Sequence, residues 1–153
     1  MPAQQLKRFL DANRVKYVST SHSRAYTAQE LAALAHVPGK DWAKTVVVKL
    51  DGKLAMAVIP ASHRVVFDLL TKAARAKEAE LATEHEFAAS FLDCELGAMP
   101  PFGNLYGLPV FVADALTHDD EITFNAGSFS ELVRMPYAEF ARLVKPTVAH
   151  ISA

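Results

Sequence analysis

Only one cysteine, Cys94, occurs in the chain, so no disulfide can close within it, and a reducing cytoplasm is the expected setting. No cationic, apolar leader of the signal-peptide kind precedes the first amphipathic stretch, in keeping with that expectation. Long hydrophobic runs are also missing: Lys49, Asp51 and Lys53 interrupt the most apolar region well short of the roughly 20 residues that cross a bilayer, which excludes membrane insertion. The six histidines are scattered without the short paired spacing of a zinc site, so neither a metal nor any other cofactor is implied. Charge of one sign is not in excess. Sixteen basic and 17 acidic residues leave a net charge of −1, so any contact with nucleic acid must be local. The densest basic group is Lys72, Arg75 and Lys77, with Arg64 upstream; Glu78, Glu80, Glu84 and Glu86 dilute it, and a solvated helix face is the preferred reading. Repeats and low-complexity segments are absent.

What is present suits one domain over residues 1–153: a hydrophobic fraction of 51% fills a single core. Leu6, Phe9 and Leu10 recur at helical spacing and predict a helix ending near Asn13, followed by a strand over Val15 to Thr20. Thr27 to Glu30 has the form of a capping box and opens a second helix that Pro38-Gly39 closes. Thr45 to Leu50 and Leu54 to Ile59, joined across Asp51-Gly52, predict a hairpin of central strands. Asp68 is expected to cap a short helix through Arg75, and Thr83 to Glu86 repeats the capping-box chemistry before Phe87, Phe91 and Leu92, which makes the middle largely helical. Strand character resumes over Leu108 to Ala113, Glu121 to Asn125 and Leu132 to Met135, and Tyr137 to Val144 carries a final helical pattern. Without regular βα alternation, the expected fold is α+β, a mixed, curved β-sheet core wrapped by helices.

Three stretches can carry chemistry, and each also has a plain structural reading. In Gly97-Ala98-Met99-Pro100-Pro101-Phe102-Gly103 two glycines bracket a stiff proline pair. Such a loop either presents main-chain amides to a ligand or serves as a rigid turn. Lys44 precedes Thr45-Val46-Val47-Val48, placing an ammonium at a strand mouth. It can donate to a phosphate, carbonyl or ribose hydroxyl, or it can snorkel over the strand end. Asn125-Ala126-Gly127-Ser128 pairs a permissive glycine with small polar side chains and also reads as a simple turn. Earlier, Thr20, His22 and Tyr26 place polar groups between a strand and a helix, where a surface loop is the alternative.

Taken together and in this order, Lys44 to Val48, the glycine-proline loop and Asn125 to Ser128 resemble the YbaK/EbsC family, stand-alone relatives of the bacterial prolyl-tRNA synthetase editing domain. Ala57-Val58-Ile59-Pro60-Ala61 and Val133 to Phe140 extend the resemblance over nearly the whole chain. It implies a mixed β-sheet core wrapped by helices, and hydrolysis of the ester that joins a wrong amino acid to the terminal adenosine of a transfer RNA. In the family, the lysine at the position of Lys44 orients the substrate, and backbone amides of a Gly-x-x-x-Pro loop, matched by Gly97 and Pro101, surround its aminoacyl end. Water is the nucleophile, with help expected from a hydroxyl of the terminal ribose, so Cys94 is a bystander. The resemblance thus assigns catalysis to Lys44 and Gly97, and substrate binding to Thr20, His22, Tyr26, Met99, Pro101, Phe102, Gly103, Asn125, Gly127, Ser128 and Phe129. The implied partner is a mischarged tRNA, and an aminoacyl-tRNA synthetase is a further expected one.

One position departs from the family pattern. Several members carry histidine after the Gly-Ser or Gly-Thr pair, and here Phe129 follows Gly127-Ser128, supplying neither proton chemistry nor a hydrogen bond. A phenyl ring either narrows an apolar pocket toward a small side chain such as alanine or turns into the core. The alternative function is a non-catalytic tRNA-binding or regulatory module that keeps the editing fold.

Overall fold

The computed structural model describes residues 4–21 and 41–153. The helix and capping box expected after Thr27, together with His22 and Tyr26, lie outside the described residues.

Helix α1 (Gln4–Ala12) buries Leu6 and Leu10. Its end is closed by backbone bonds from Asn13 to Phe9 and from Val15 to Leu10, so Val15 is drawn into the core and β1 starts only at Val18, running to Ser21. Strands β2 (Ala43–Leu50) and β3 (Lys53–Pro60) form the expected hairpin. Asp51 and Gly52 both have positive φ, the geometry a two-residue hairpin turn requires. The Asp51 carboxylate then accepts the amides of Lys77 and Glu78, which guides the chain into β4 (Ala79–Leu81) beside β2.

Between β3 and β4 runs α2 (Phe67–Ala74). Asp68 does not cap it: the preceding position is Val66, without a side-chain bond, and Asp68 sits inside the first turn. Arg75 closes the helix in the left-handed conformation. The capping box at Thr83 and Glu86 is formed in both directions, opening the short α3 (Glu84–Phe87) and a 3-10 turn over Ala88–Phe91. Phe87 and Phe91 are buried, whereas Leu92 is exposed. Strand β5 (Val110–Ala113) starts later than its apolar run because Leu108 donates to Gly103 and Pro109 has no donor. The chain ends through β6 (Glu121–Asn125), β7 (Glu131–Pro136), α4 (Tyr137–Val144) and β8 (Thr147–Ala149).

The strands make a five-stranded sheet in the order β4-β2-β3-β5-β8 and a three-stranded one in the order β1-β7-β6. In the first, β3 pairs antiparallel with β2 and parallel with β5, which is the mixed sheet expected of an α+β fold. The two sheets meet through a parallel bridge between Trp42 and Thr123, both buried. Strand β3 is covered on both faces. Met56 and Val58 join Val47, Ile122, Phe124, Val133 and Met135 in the larger core, while Ala55, Ala57 and Ile59 pack with Leu70 of α2. Phe102 anchors the larger core, with Phe9, Phe124 and Phe140 at ring distances of 6.1, 5.7 and 5.5 Å.

Strands β4 and β8 were not legible in the sequence. Both are three-residue edge strands with little burial, so neither writes an apolar alternation, and the middle of the chain is less helical than its caps suggested. An ion-pair cluster holds β4: Lys49 Nζ lies 3.1 Å from Glu80 and 2.5 Å from Glu86. The Lys49 hydrogen bond, then the Thr83 amide, hold the Glu86 carboxyl at about 2, against 4.5 ordinarily. That stabilisation is complete above about pH 4.5 and is lost as the pH falls through about 2. Glu86→Gln should therefore lose less stability than the parent between neutral pH and a pH of about 3, read as urea midpoints. Equal losses would show that the pair contributes nothing.

Candidate functional site

The Gly97 loop and the Gly127 turn are clasped together by main-chain bonds. Glu95 donates to the Gly127 carbonyl at 2.8 Å, and Gly127 donates to the Ala98 carbonyl at 2.9 Å. Gly97 is exposed and has φ 95°, and a Cβ added there would meet Phe129 Cζ at 3.0 Å. The position therefore needs glycine twice, for its conformation and for the ring lying over it. Phe129 is half-buried, and its ring tip lies against Gly97.

Other loop residues hold this wall in place from beneath. Met99 and Phe102 are buried in the larger core, beneath the loop. Gly103 is also buried, and a Cβ there would stand 2.6 Å from Val110 Cγ2 and 2.8 Å from the Leu108 carbonyl. Close packing against the start of β5 requires that glycine. Pro101 is buried within the same loop. The Gly97 amide points at Met99 Sδ, 3.0 Å away, a weak acceptor, and the Ala98 amide is taken by the Glu95 carbonyl.

The turn is anchored from below. Ala126 donates to the Glu131 carbonyl, and the Glu131 carboxylate takes an ion pair from Lys7 and a bond from Ser19 Oγ at 3.3 Å. Ser128 is buried, its hydroxyl 3.3 Å from that of Ser130. Asn125, Leu132 and Thr20 form one row across β6, β7 and β1, so the asparagine and threonine share the face of the small sheet away from Phe124 and Val133. Asn125 Oδ1 is buried without a hydrogen-bond partner among the described residues. An orphan of that kind costs about 1–3 kcal/mol, which a donor on a ligand would recover.

Lys44 occupies a different hollow. It stands opposite Ile59, on the face of β2 that carries Val46 and Val48, and lines an open cavity of about 290 Å³ with Val46, Ile59, Arg64, Val65, Phe67 and Leu81. No residue of the Gly97 loop or the Gly127 turn lines it. The two regions are linked by the seam: Lys44 of β2 and Asn125 of β6 each lie two residues beyond the parallel Trp42–Thr123 bridge. Burial, and then the nearby positive charge of Arg64, lower the Lys44 pKa below its usual 10.5.

Sequence reasoning missed Arg64 as the neighbour of Lys44 and grouped it with Lys72, Arg75 and Lys77. The signal was available in the hairpin: a two-residue turn sets Ala43 opposite Pro60, so the chain leaving β3 must return beside the start of β2. Cys94 is inert, as expected. Burial first, then Asp93, push its thiol up to about 12, and it sits 3.2 Å from the Tyr106 hydroxyl. Among the described residues no cluster of three or more His, Cys, Asp or Glu could hold a metal, and no helix is long and apolar enough to cross a membrane.

The profile of the family described as the aminoacyl-tRNA editing domain matches residues 22–143. The chain belongs to that family. A search of curated proteins finds no match. Among solved structures, this editing domain is similar to the hypothetical protein APE2540, with a TM-score of 0.89 at 20% identity, covering 98% of this chain and 100% of that one. It is similar also to a candidate trans-editing enzyme for prolyl tRNA synthetase, with a TM-score of 0.84 at 20% identity over 99% and 97% of the two chains. A third likeness, with a TM-score of 0.76 at 15% identity, is to a candidate signal transduction protein from Marinobacter aquaeolei VT8; it covers 97% of this chain and 30% of that longer one. At these identities the likenesses establish the fold, and the family match carries the link to aminoacyl-tRNA editing.

The ammonium of Lys44 is kept in the editing domain at a cost, because it is partly desolvated and faces another cation. Lys44→Met should raise stability at neutral pH by a small amount, since solvent screens a side chain that is only partly buried. The gain should fade as the pH rises through the lowered lysine pKa toward 10.5, where the parent loses the charge. Urea midpoints across that range test this, and a less stable Met variant at neutral pH would contradict it.

Proposed function

We propose that this chain, read as a single domain, is a free-standing hydrolase that removes a wrong amino acid from tRNA in the cytoplasm. The observation that carries this reading is the clasp between the Gly97 loop and the Gly127 turn, with Phe129 over Gly97 and the orphan Asn125 Oδ1 at the turn's entrance. Such a site answers a physical need. A synthetase pocket separates side chains differing by one methylene by only about 10–200-fold, so a second, hydrolytic site must remove the residue of errors.

Water attacks the ester carbonyl carbon, the bond to the ribose oxygen breaks, and that oxygen leaves with a proton as a ribose hydroxyl. The products are the free amino acid and uncharged tRNA. The Gly97 amide serves the carbonyl oxygen as negative charge develops, because its thioether partner is weak enough to be displaced. Asn125 Oδ1 accepts from the substrate's amine or a ribose hydroxyl, and Thr20 is the nearest polar neighbour in the same row. Lys44 anchors the terminal nucleotide, and the water is assisted by a ribose hydroxyl. Phe129 shortens the space over Gly97 and favours a small side chain such as alanine.

A second reading, a binding module without catalysis, draws on one observation. Lys44 faces a hollow apart from the loop, as a group that only grips RNA would. The two readings part in one assay. Purified protein is mixed with tRNAs charged with alanine, cysteine, serine, threonine or proline, and release of the amino acid is followed; release of alanine supports the hydrolase, and release from none sinks it. Gly97→Ala keeps the N–H but displaces it, because a Cβ at φ 95° is strained and meets Phe129, and should reduce turnover about 100-fold with little change in the circular dichroism spectrum. Phe129→Ala should shift preference from alanine toward proline, and an unaltered ranking of amino acids would remove the phenyl from the pocket.

A further inference from the structure

The hollow at Lys44 pairs an apolar floor with two cations. Its walls are Val46, Ile59, Val65, Phe67 and Leu81, and its only charges among the described residues are the Lys44 ammonium and the Arg64 guanidinium. Neither cation has a carboxylate partner among the described residues. Asp68, close in sequence, lines a separate cleft with Lys77 and Glu80. Leu81 keeps 60% of its surface exposed here. Two like charges over an apolar floor repel each other and gain nothing from the fold, so the arrangement suits a ligand that has an anionic group and a flat apolar body.

We propose that this hollow is a nucleotide subsite: a phosphate bridges Lys44 Nζ and the Arg64 guanidinium, and the base lies against Phe67 and Leu81. The proposal rests on the reading of tRNA as substrate and makes it narrower, assigning the lysine to a phosphate and leaving the ester to the Gly97 loop. Arg64 supplies the planar, two-pronged donor that phosphate oxygens accept best, and an aromatic wall gives a base a stacking surface. The geometry of the hairpin keeps both cations in place, since Lys44 is fixed opposite Ile59 and the backbone of Arg64 is bonded in both directions to Ala153.

The phosphate has two possible sources, the 3′ end of a tRNA or a free nucleotide, and the test separates them. Binding of adenosine 5′-monophosphate and of adenosine is measured by titration calorimetry at low salt, with the parent, Arg64→Gln and Arg64→Lys. The monophosphate should bind at least about tenfold tighter than adenosine, and the advantage should shrink as salt rises. Arg64→Gln should remove most of that advantage with adenosine binding unmoved, and Arg64→Lys should restore part of it. Competition by uncharged tRNA, absent when its terminal adenosine is trimmed away, assigns the subsite to the RNA end; monophosphate binding that tRNA does not displace assigns it to a free nucleotide. Equal affinity for the monophosphate and adenosine in the parent, or an advantage untouched by Arg64→Gln, overturns the subsite. Those affinities are read without turnover, so a phosphate advantage in a protein that releases no amino acid would sink the hydrolase alone, and release without the advantage would sink the subsite alone.

Discussion

The register of the β2–β3 hairpin is the constraint on which the rest of the structure depends. A two-residue turn at Asp51-Gly52 leaves one way to pair the strands without reversing every side chain. In that register Met56 and Val58 enter the core between the sheets, while Ala57 and Ile59 meet α2. The same register sets Lys44 opposite Ile59 and brings Arg64 back beside it. One turn thus decides the two faces of the central sheet and the composition of one hollow on its surface.

A second constraint acts through glycine. Gly97 permits a main-chain path that Phe129 closes over, and Gly103 lets the loop return tightly onto β5. Between them, Met99 and Phe102 sink into the core and hold the loop from beneath. The residues that make the loop rigid are therefore different from the one that faces outward, although Gly97, Met99, Pro101, Phe102 and Gly103 were all candidates as letters. A rigid wall suits the proposed chemistry, since a donor placed before charge develops needs no reorganisation as it forms.

What was legible in the sequence followed from local chemistry. The hairpin, the capping box at Thr83, the strand over Glu121–Asn125 and the helix over Tyr137–Val144 each rest on short-range spacing, and each formed as written. Edge strands β4 and β8 escaped because backbone pairing with a neighbour made them, with little burial to leave a pattern. At the site, the order of Lys44, the Gly97 loop and the Gly127 turn was readable, and the clasp between the last two is present. That Lys44 lines a hollow with Arg64, Phe67 and Leu81 was not readable, because it depends on which face of β2 the side chain takes at the seam of two sheets. Arg64 was hidden for the same reason: its neighbour is set by strand register, 20 positions away in the chain.

The division of labour between the loop and the hollow is the central claim, and one experiment reaches it directly. It is a crystal structure with a stable analogue of the substrate end, adenosine 5′-monophosphate carrying alanine through an amide at the ribose 3′ position. The account predicts the alanyl carbonyl oxygen against the Gly97 amide under Phe129, with the 5′-phosphate between Lys44 and Arg64. An alanyl group bound in the Lys44 hollow, or a phosphate seated on the Gly97 loop, would contradict it.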